Sequence, residues 1–226
     1  MQGIVVRASW SNIGEGITHP TYYHLRMVPV SGGDNILLSN IDQDDPNITN
    51  IPKGSFKGSL YNTAADITVT NTVANMSGSG GIINAMPGWF FTGVQNFTIT
   101  DYLTSVTFQM QQQTRELNFD ISILDDITIG SATIKLEGVA GTMDIMTGEL
   151  SDASSISVDA AVSGTTLTAK TRLLGIVSGS TQTMTVTVNQ AGGGVFPIVV
   201  NVSSDLAGFN ENKKTPFTLS KELSIP

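Results

Sequence analysis

The sequence predicts an all-β chain of two tandem β-sandwich domains, and three observations carry that expectation. Apolar residues recur at every second position in short blocks, and turn-forming clusters separate the blocks. The chain of 226 residues leaves about 110 residues for each of two units, the size of one seven- or eight-stranded sandwich.

Period-two spacing puts alternate side chains on one face of a strand. The first block is Ile4, Val6, Ala8 and Trp10. Leu117, Phe119, Ile121 and Ile123 follow with Asn118, Asp120 and Ser122 opposed, then Ile156, Val158, Ala160 and Val162. Met184, Val186 and Val188 alternate with Thr183, Thr185 and Thr187, and Phe196, Ile198, Val200 and Val202 complete the series. Between blocks stand Ser31-Gly32-Gly33-Asp34-Asn35, Ser77-Gly78-Ser79-Gly80-Gly81, Ser178-Gly179-Ser180 and Gly192-Gly193-Gly194, all suited to tight reversals. The best helix formers, Phe108 to Leu117, are flanked by β-branched residues and read as the crossing between domains. The expected domains are 1–112 and 113–226, with 4 basic and 7 acidic residues in the first and 7 and 12 in the second, giving the net charge of −8.

Composition narrows the function classes. Only 11 Lys and Arg oppose 19 Asp and Glu, so the chain has no basic surface to displace counterions from nucleic acid or to hold an anionic bilayer. The absence of Cys removes disulfides, thiolate nucleophiles and Cys-based zinc sites. There is no apolar run of about 18 residues, and the start Met1-Gln2-Gly3-Ile4-Val5-Val6 lacks the basic region and apolar stretch of a signal peptide.

No motif names a catalytic group, and the chain reads as non-enzymatic. Gly-x-Ser-x-Gly is absent, no Ser stands three residues before a Lys, and no Walker sequence occurs. His19 and His24 are five apart, which on one strand sends them to opposite faces. Asp42, Asp44 and Asp45 offer hard oxygen ligands, but Pro46 breaks the calcium-loop pattern. Asp125 and Asp126 diverge on a strand, so a glycosidase-like pair needs a partner from elsewhere. No cofactor or metal site is expected. Four Asn-x-Ser/Thr sequons begin at Asn47, Asn75, Asn96 and Asn201. Trp89-Phe90-Phe91 with Tyr22-Tyr23 read first as core aromatics and second as a stacking platform for a glycan.

The C-terminus is more informative. Phe217, Leu219, Leu223 and Ile225 share one face, against Thr218, Ser220, Glu222 and Ser224 on the other. Such a comb is either the last strand of its own sandwich or a strand added to a neighbouring subunit, and these four residues are the candidate strand-exchange set. Ile4 through Trp10 admits the same pair of readings.

Several segments carry a family resemblance. Val6-Arg7-Ala8-Ser9-Trp10 and Ile51-Pro52-Lys53-Gly54-Ser55-Phe56-Lys57-Gly58-Ser59-Leu60-Tyr61-Asn62-Thr63-Ala64 resemble the fimbrillin-like surface proteins of Bacteroidales, and in particular their fimbrial anchor and accessory lipoproteins. Phe56 stands where those proteins have Tyr. Thr114-Arg115-Glu116-Leu117-Asn118-Phe119-Asp120-Ile121 is similar to the family's opening strand of its second domain, and Gly148-Glu149-Leu150-Ser151-Asp152 to a loop within it. The resemblance implies two transthyretin-like or immunoglobulin-like Greek-key sandwiches and partnership with other fimbrial subunits through strand addition. It also implies a cell-surface location at the outer membrane, held by a lipidated Cys upstream of the present start. A carbohydrate-binding surface lipoprotein is the alternative.

Overall fold

A computed structural model describes residues 2–226; Met1, which opens the segment lacking signal features, lies outside them. The chain is all-β, and no helix is present among the described residues. In order the strands are β1 (Gly3–Asn12), β2 (Tyr22–Pro29), β3 (Ile36–Asp42), β4 (Asn47–Thr49), β5 (Gly54–Tyr61), β6 (Ile67–Thr70), β7 (Val73–Met76), β8 (Gly78–Ser79) and β9 (Ile82–Ile83). They continue as β10 (Phe91–Ile99), β11 (Leu103–Gln112), β12 (Arg115–Ile123), β13 (Ile129–Asp144), β14 (Leu150–Ser163), β15 (Thr166–Leu173), β16 (Thr183–Gln190), β17 (Val195–Asn201) and β18 (Phe217–Leu223). All five alternating blocks lie on strands, at β1, β12, β14, β16 and β17, except that Val202 falls just after β17.

Contacts divide the chain into two compact units. The first takes residues up to Asn75, Gly88–Gln113 and Met143–Glu149; the second takes Met76–Pro87, Thr114–Thr142 and Leu150–Pro226. In the 108–117 stretch only Gln113 and Thr114 lie outside strands. The two short exchanged segments have identifiable causes. In the first unit the Ile145 amide donates to the Thr72 carbonyl (2.7 Å), Ser59 Oγ donates to the Ile145 carbonyl (2.9 Å), and Thr72 Oγ1 donates to Asp144 (3.0 Å). In the second unit the Arg172 amide and the Thr171 hydroxyl both donate to the Ala85 carbonyl, and Arg172 Nη1 donates to Pro87 (2.6 Å).

In the first unit seven strands form one sheet in the order β3-β2-β5-β10-β11-β1-β4, while β6 pairs with β7 outside it. Laid flat it would be about 29 Å wide. Its two edge strands are nevertheless consecutive in sequence, joined by Gln43–Pro46, and the chain from Asp42 to Asn47 reaches at most about 18 Å. The sheet must therefore curl until its edges approach, and one core results. Ile41 of β3, Ile4 and Val6 of β1, Phe56 and Leu60 of β5, and Phe108 and Met110 of β11 all belong to that cluster.

In the second unit the path is β17-β16-β13-β14-β15-β12-β18. The two longest strands, β13 and β14, carry it from one layer to the other. The first half of β13 pairs with β16, while the end of β14 pairs with β15. Gly138 lies within β13 with a φ of 79°, and a Cβ there would stand 2.7 Å from the Thr181 carbonyl oxygen. Only glycine takes that conformation at little cost.

Each unit closes in the same way. The first strand of the first unit, β1, pairs in parallel with its last, β11, and the first strand of the second unit, β12, pairs in parallel with its last, β18.

Candidate functional site

The C-terminal comb forms β18, at one edge of the second unit's sheet. Leu219 and Leu223 are 1% and 8% exposed, Phe217 and Ile225 are half-buried, and Thr218, Ser220, Glu222 and Ser224 face solvent. The strand runs parallel to β12 from Leu117 opposite Phe217 to Ile123 opposite Leu223. The four candidate strand-exchange residues are thus packed on their own chain.

Backbone polarity at this edge follows from one bond. The Leu124 amide donates to the Leu223 carbonyl (2.9 Å). Because backbone groups alternate sides along a strand, residues 219, 221 and 223 bond toward β12, whereas Thr218, Ser220, Glu222 and Ser224 direct their N–H and C=O groups outward. Pro216 and Pro226 bracket that stretch.

The other ends of the two strand paths, β17, β3 and β4, are guarded by recognised devices. On β17 the Gln190-to-Gly194 and Val202-to-Gln182 bonds assign the even residues to β16, so Val195, Pro197, Val199 and Asn201 face outward. Pro197 removes the central donor of that row. On β3 the pairing with β2 shifts register between Tyr23 and Leu25, and Asn40 sits at φ 57°, which makes a bulge in the edge. The β4 edge has three residues. The β18 edge therefore presents the longest unguarded row of main-chain groups.

What holds β18 in place was not read from the sequence. Arg115 opens β12 and is 5% exposed. Its Nε donates to the Thr215 carbonyl (2.7 Å) and its Nη1 to the carbonyls of Gly208 (3.2 Å) and Phe209 (2.5 Å). The guanidinium stacks against the rings of Phe209 and Phe217, at 5.3 and 5.0 Å from their centroids. Burial weakens its hold on its proton, opposed by the charge of Glu211. Asn210 mimics a strand, accepting from the Ile176 amide (2.9 Å) and donating to the Ile176 carbonyl (2.8 Å). Lys221, on the inward face of β18, pairs with Asp205 at 2.8 Å. Asp125 Oδ2 accepts the Ile225 amide (2.7 Å), which ties down the chain end. The available clue was phase: Arg115 and Lys221 stand at odd positions, in step with the buried apolar residues of their strands.

Lys213 in the same crossing donates to the Leu174 carbonyl (2.8 Å), and burial, with the nearby charge of Arg115, lowers its pKa from 10.5 to about 8. The unfolded chain therefore holds this proton to higher pH than the folded chain does. Stability should rise as pH climbs from about 8 to 10.5, by up to about 3 kcal/mol. Lys213→Met should abolish that rise. Urea unfolding of both proteins across this range checks it, and parallel curves would refute the assignment.

The remaining candidates disperse. His19 stacks on Trp10 at 4.6 Å, whereas His24 hydrogen-bonds Thr63 (2.9 Å) and stacks on Tyr61. Asp42 accepts the Asp44 amide. Among the described residues, no group of three or more His, Cys, Asp or Glu is arranged to hold a metal ion. Tyr23, Phe90 and Phe91 are buried and Trp89 packs against the core of the first unit, whereas Tyr22 is 55% exposed.

An all-β chain that closes each unit on its own terminal strand is left with sheet edges as its exposed main-chain groups. The chain belongs to the family of fimbrillin-A associated anchor proteins Mfa1 and Mfa2, whose family model matches residues 11–224. Membership assigns a fimbrial accessory or adhesion role at the cell envelope, structural rather than enzymatic. Among solved structures, the fimbrial anchor protein Mfa2 from Porphyromonas gingivalis is similar at a TM-score of 0.67 with 12% identity, over 98% of this chain and 90% of that one. A candidate adhesin from Bacteroides ovatus is similar at 0.74 with 13% identity, over 99% and 89%. A second, from Bacteroides thetaiotaomicron, is similar at 0.63 with 11% identity, over 99% and 91%. These likenesses support the fold. No curated protein sequence matches the chain.

Proposed function

We propose that this protein is a fimbrial anchor or accessory subunit of the outer membrane, held there by an upstream lipidated Cys and joined to a fimbrial subunit by strand addition. Its tandem domains are 1–112 and 113–226, apart from the exchanged segments. The observation that carries the reading is the outward row of backbone groups from Thr218 to Ser224, which is free of proline and bulge. A strand laid there gains a main-chain ladder, and the solvent-facing side chains of β18 set its register.

Energetics favour accepting a strand at this edge over donating β18. Donating β18 to a neighbour would expose Leu219 and Leu223, at about 2–3 kcal/mol each, and strip Arg115 of its ring contact with Phe217. Accepting a strand at the edge costs neither. The Phe217, Leu219, Leu223 and Ile225 set thus holds β18 in place while the edge does the joining.

Ser220→Pro removes one outward N–H without removing a bond to β12. The variant should keep most of its thermal stability yet lose association with the cognate fimbrial subunit. Undiminished association of a folded Ser220→Pro protein would sink the edge reading. The lipid is tested separately by the intact mass of the protein released from its native envelope.

A further inference from the structure

We infer that the β18 edge selects a cationic strand: its partner is a segment of another protein that lies antiparallel on residues 218–224 and carries Lys or Arg on its solvent face. This rests on the edge reading above and adds the chemistry of the occupant. The row of outward amides and carbonyls is the site, and the side chains beside it choose what occupies it. Pairing of β12 with β18 sets Asn118 beside Thr218, Asp120 beside Ser220 and Ser122 beside Glu222. On the other side of β12, Lys170 lies opposite Asn118 and Thr168 opposite Asp120. These side chains share one solvent face that ends at the open row.

The charges beside the row are one-sided. Lys170 is taken by Glu116 at 3.1 Å. Lys221, the one basic residue of β18, lies on the inward face and is neutralised by Asp205 at 2.8 Å. Among the described residues, Asp120 and Glu222 have no ion-pair partner, and both are exposed. At the end of the strand Asp125 holds the Ile225 amide, and exposed Asp126 follows it. A strand added at this edge lies about 5 Å from β18 and about 10 Å from β12. A residue opposite Ser220 has Glu222 on its diagonal and Asp120 beyond the short serine side chain. Lys or Arg at that place reaches both carboxylates, whereas Asp or Glu meets two like charges. Antiparallel pairing is the more stable ladder per residue, which sets the direction. The same carboxylates oppose a second copy of this chain. β18 paired with itself would bring Asp120 and Glu222 of both copies to one seam, with neither Lys170 nor Lys221 free to separate them.

Two synthetic peptides test this on the full chain. One is acetyl-Thr-Val-Lys-Val-Lys-Val-Thr-amide, which laid antiparallel sets Lys opposite Glu222 and Ser220, and Thr opposite Ser224 and Thr218. The other has Glu in place of both Lys. Each is titrated into isotope-labelled protein while the backbone amides of Thr218, Ser220, Glu222 and Ser224 are followed by NMR. The lysine peptide should bind about tenfold tighter than the glutamate peptide at low salt. That ratio should fall toward unity in about 1 M salt, where charges are screened within about 3 Å. Glu222→Lys combined with Asp120→Asn should invert the order. Equal affinities, read at those four amides, would overturn this inference and leave the edge reading intact. If neither peptide perturbs those amides at millimolar concentration, the edge takes no strand and both readings fall. Sedimentation of the protein alone should show a monomer; a dimer that Ser220→Pro dissolves would assign the edge to a second copy and overturn the inference.

Discussion

Arg115→Ala should cost about 4 kcal/mol, because a buried guanidinium is lost together with hydrogen bonds to three carbonyls. The carbonyls of Gly208, Phe209 and Thr215 would be left short of a donor, and the rings of Phe209 and Phe217 would face a void where the cation sat. Arg115→Lys should recover only part of the loss, since one ammonium cannot reproduce a planar fork stacked between two rings. Urea unfolding measures both variants, and a loss below about 1 kcal/mol for alanine would show that the crossing into β18 is held by other contacts. Protease cleavage between 208 and 216 should accelerate in the same variants, because Arg115 fixes three carbonyls of that stretch.

Removal of Pro216–Pro226 should have a larger effect and leave the second unit without a cooperative unfolding transition. The deletion takes away two buried leucines, a seven-residue ladder on β12, and the cap that Asp125 places on Ile225. The leucines alone are worth about 2–3 kcal/mol each, against a total stability for a domain of about 5–15 kcal/mol. It also turns β12 into an edge whose one face carries Leu117, Phe119, Ile121 and Ile123, a strong template for aggregation. A synthetic peptide spanning 215–226 should restore the transition when added in excess. A truncated protein that still unfolds in one sharp step, with unchanged midpoint, would show that β18 is an appendage and not the closing strand.

Particular elements show what could be read from the sequence and what could not. The Leu117–Ile123 and Met184–Val188 blocks are strands with the buried face on the predicted side, because a side-chain period of two is a local property of an extended backbone. The aromatic run Trp89–Phe91 was expected first in the core and lies there, since so few large side chains were available to fill the interior. The exchange of 76–87 and 143–149 between units was out of reach. It depends on Ala85 meeting Thr171 and Arg172, and on Ile145 meeting Thr72, contacts between residues more than 70 positions apart. Arg115 was visible as a charge in the apolar phase of its strand, but its partners lie about 100 residues downstream and nothing local points to them.

The sequence by itself determined the all-β class, the faces of the strands and the family. Each of these follows from neighbouring residues: alternation, turn chemistry and short motifs in order. The tertiary structure alone decided which strands are edges and which way their unpaired amides point. Pro197 in β17, the bulge at Asn40 in β3 and the unbroken row from Thr218 to Ser224 look alike as isolated residues. They acquire opposite meanings only once pairing fixes which half of each backbone is already bonded, and pairing between distant strands is a property of the folded chain.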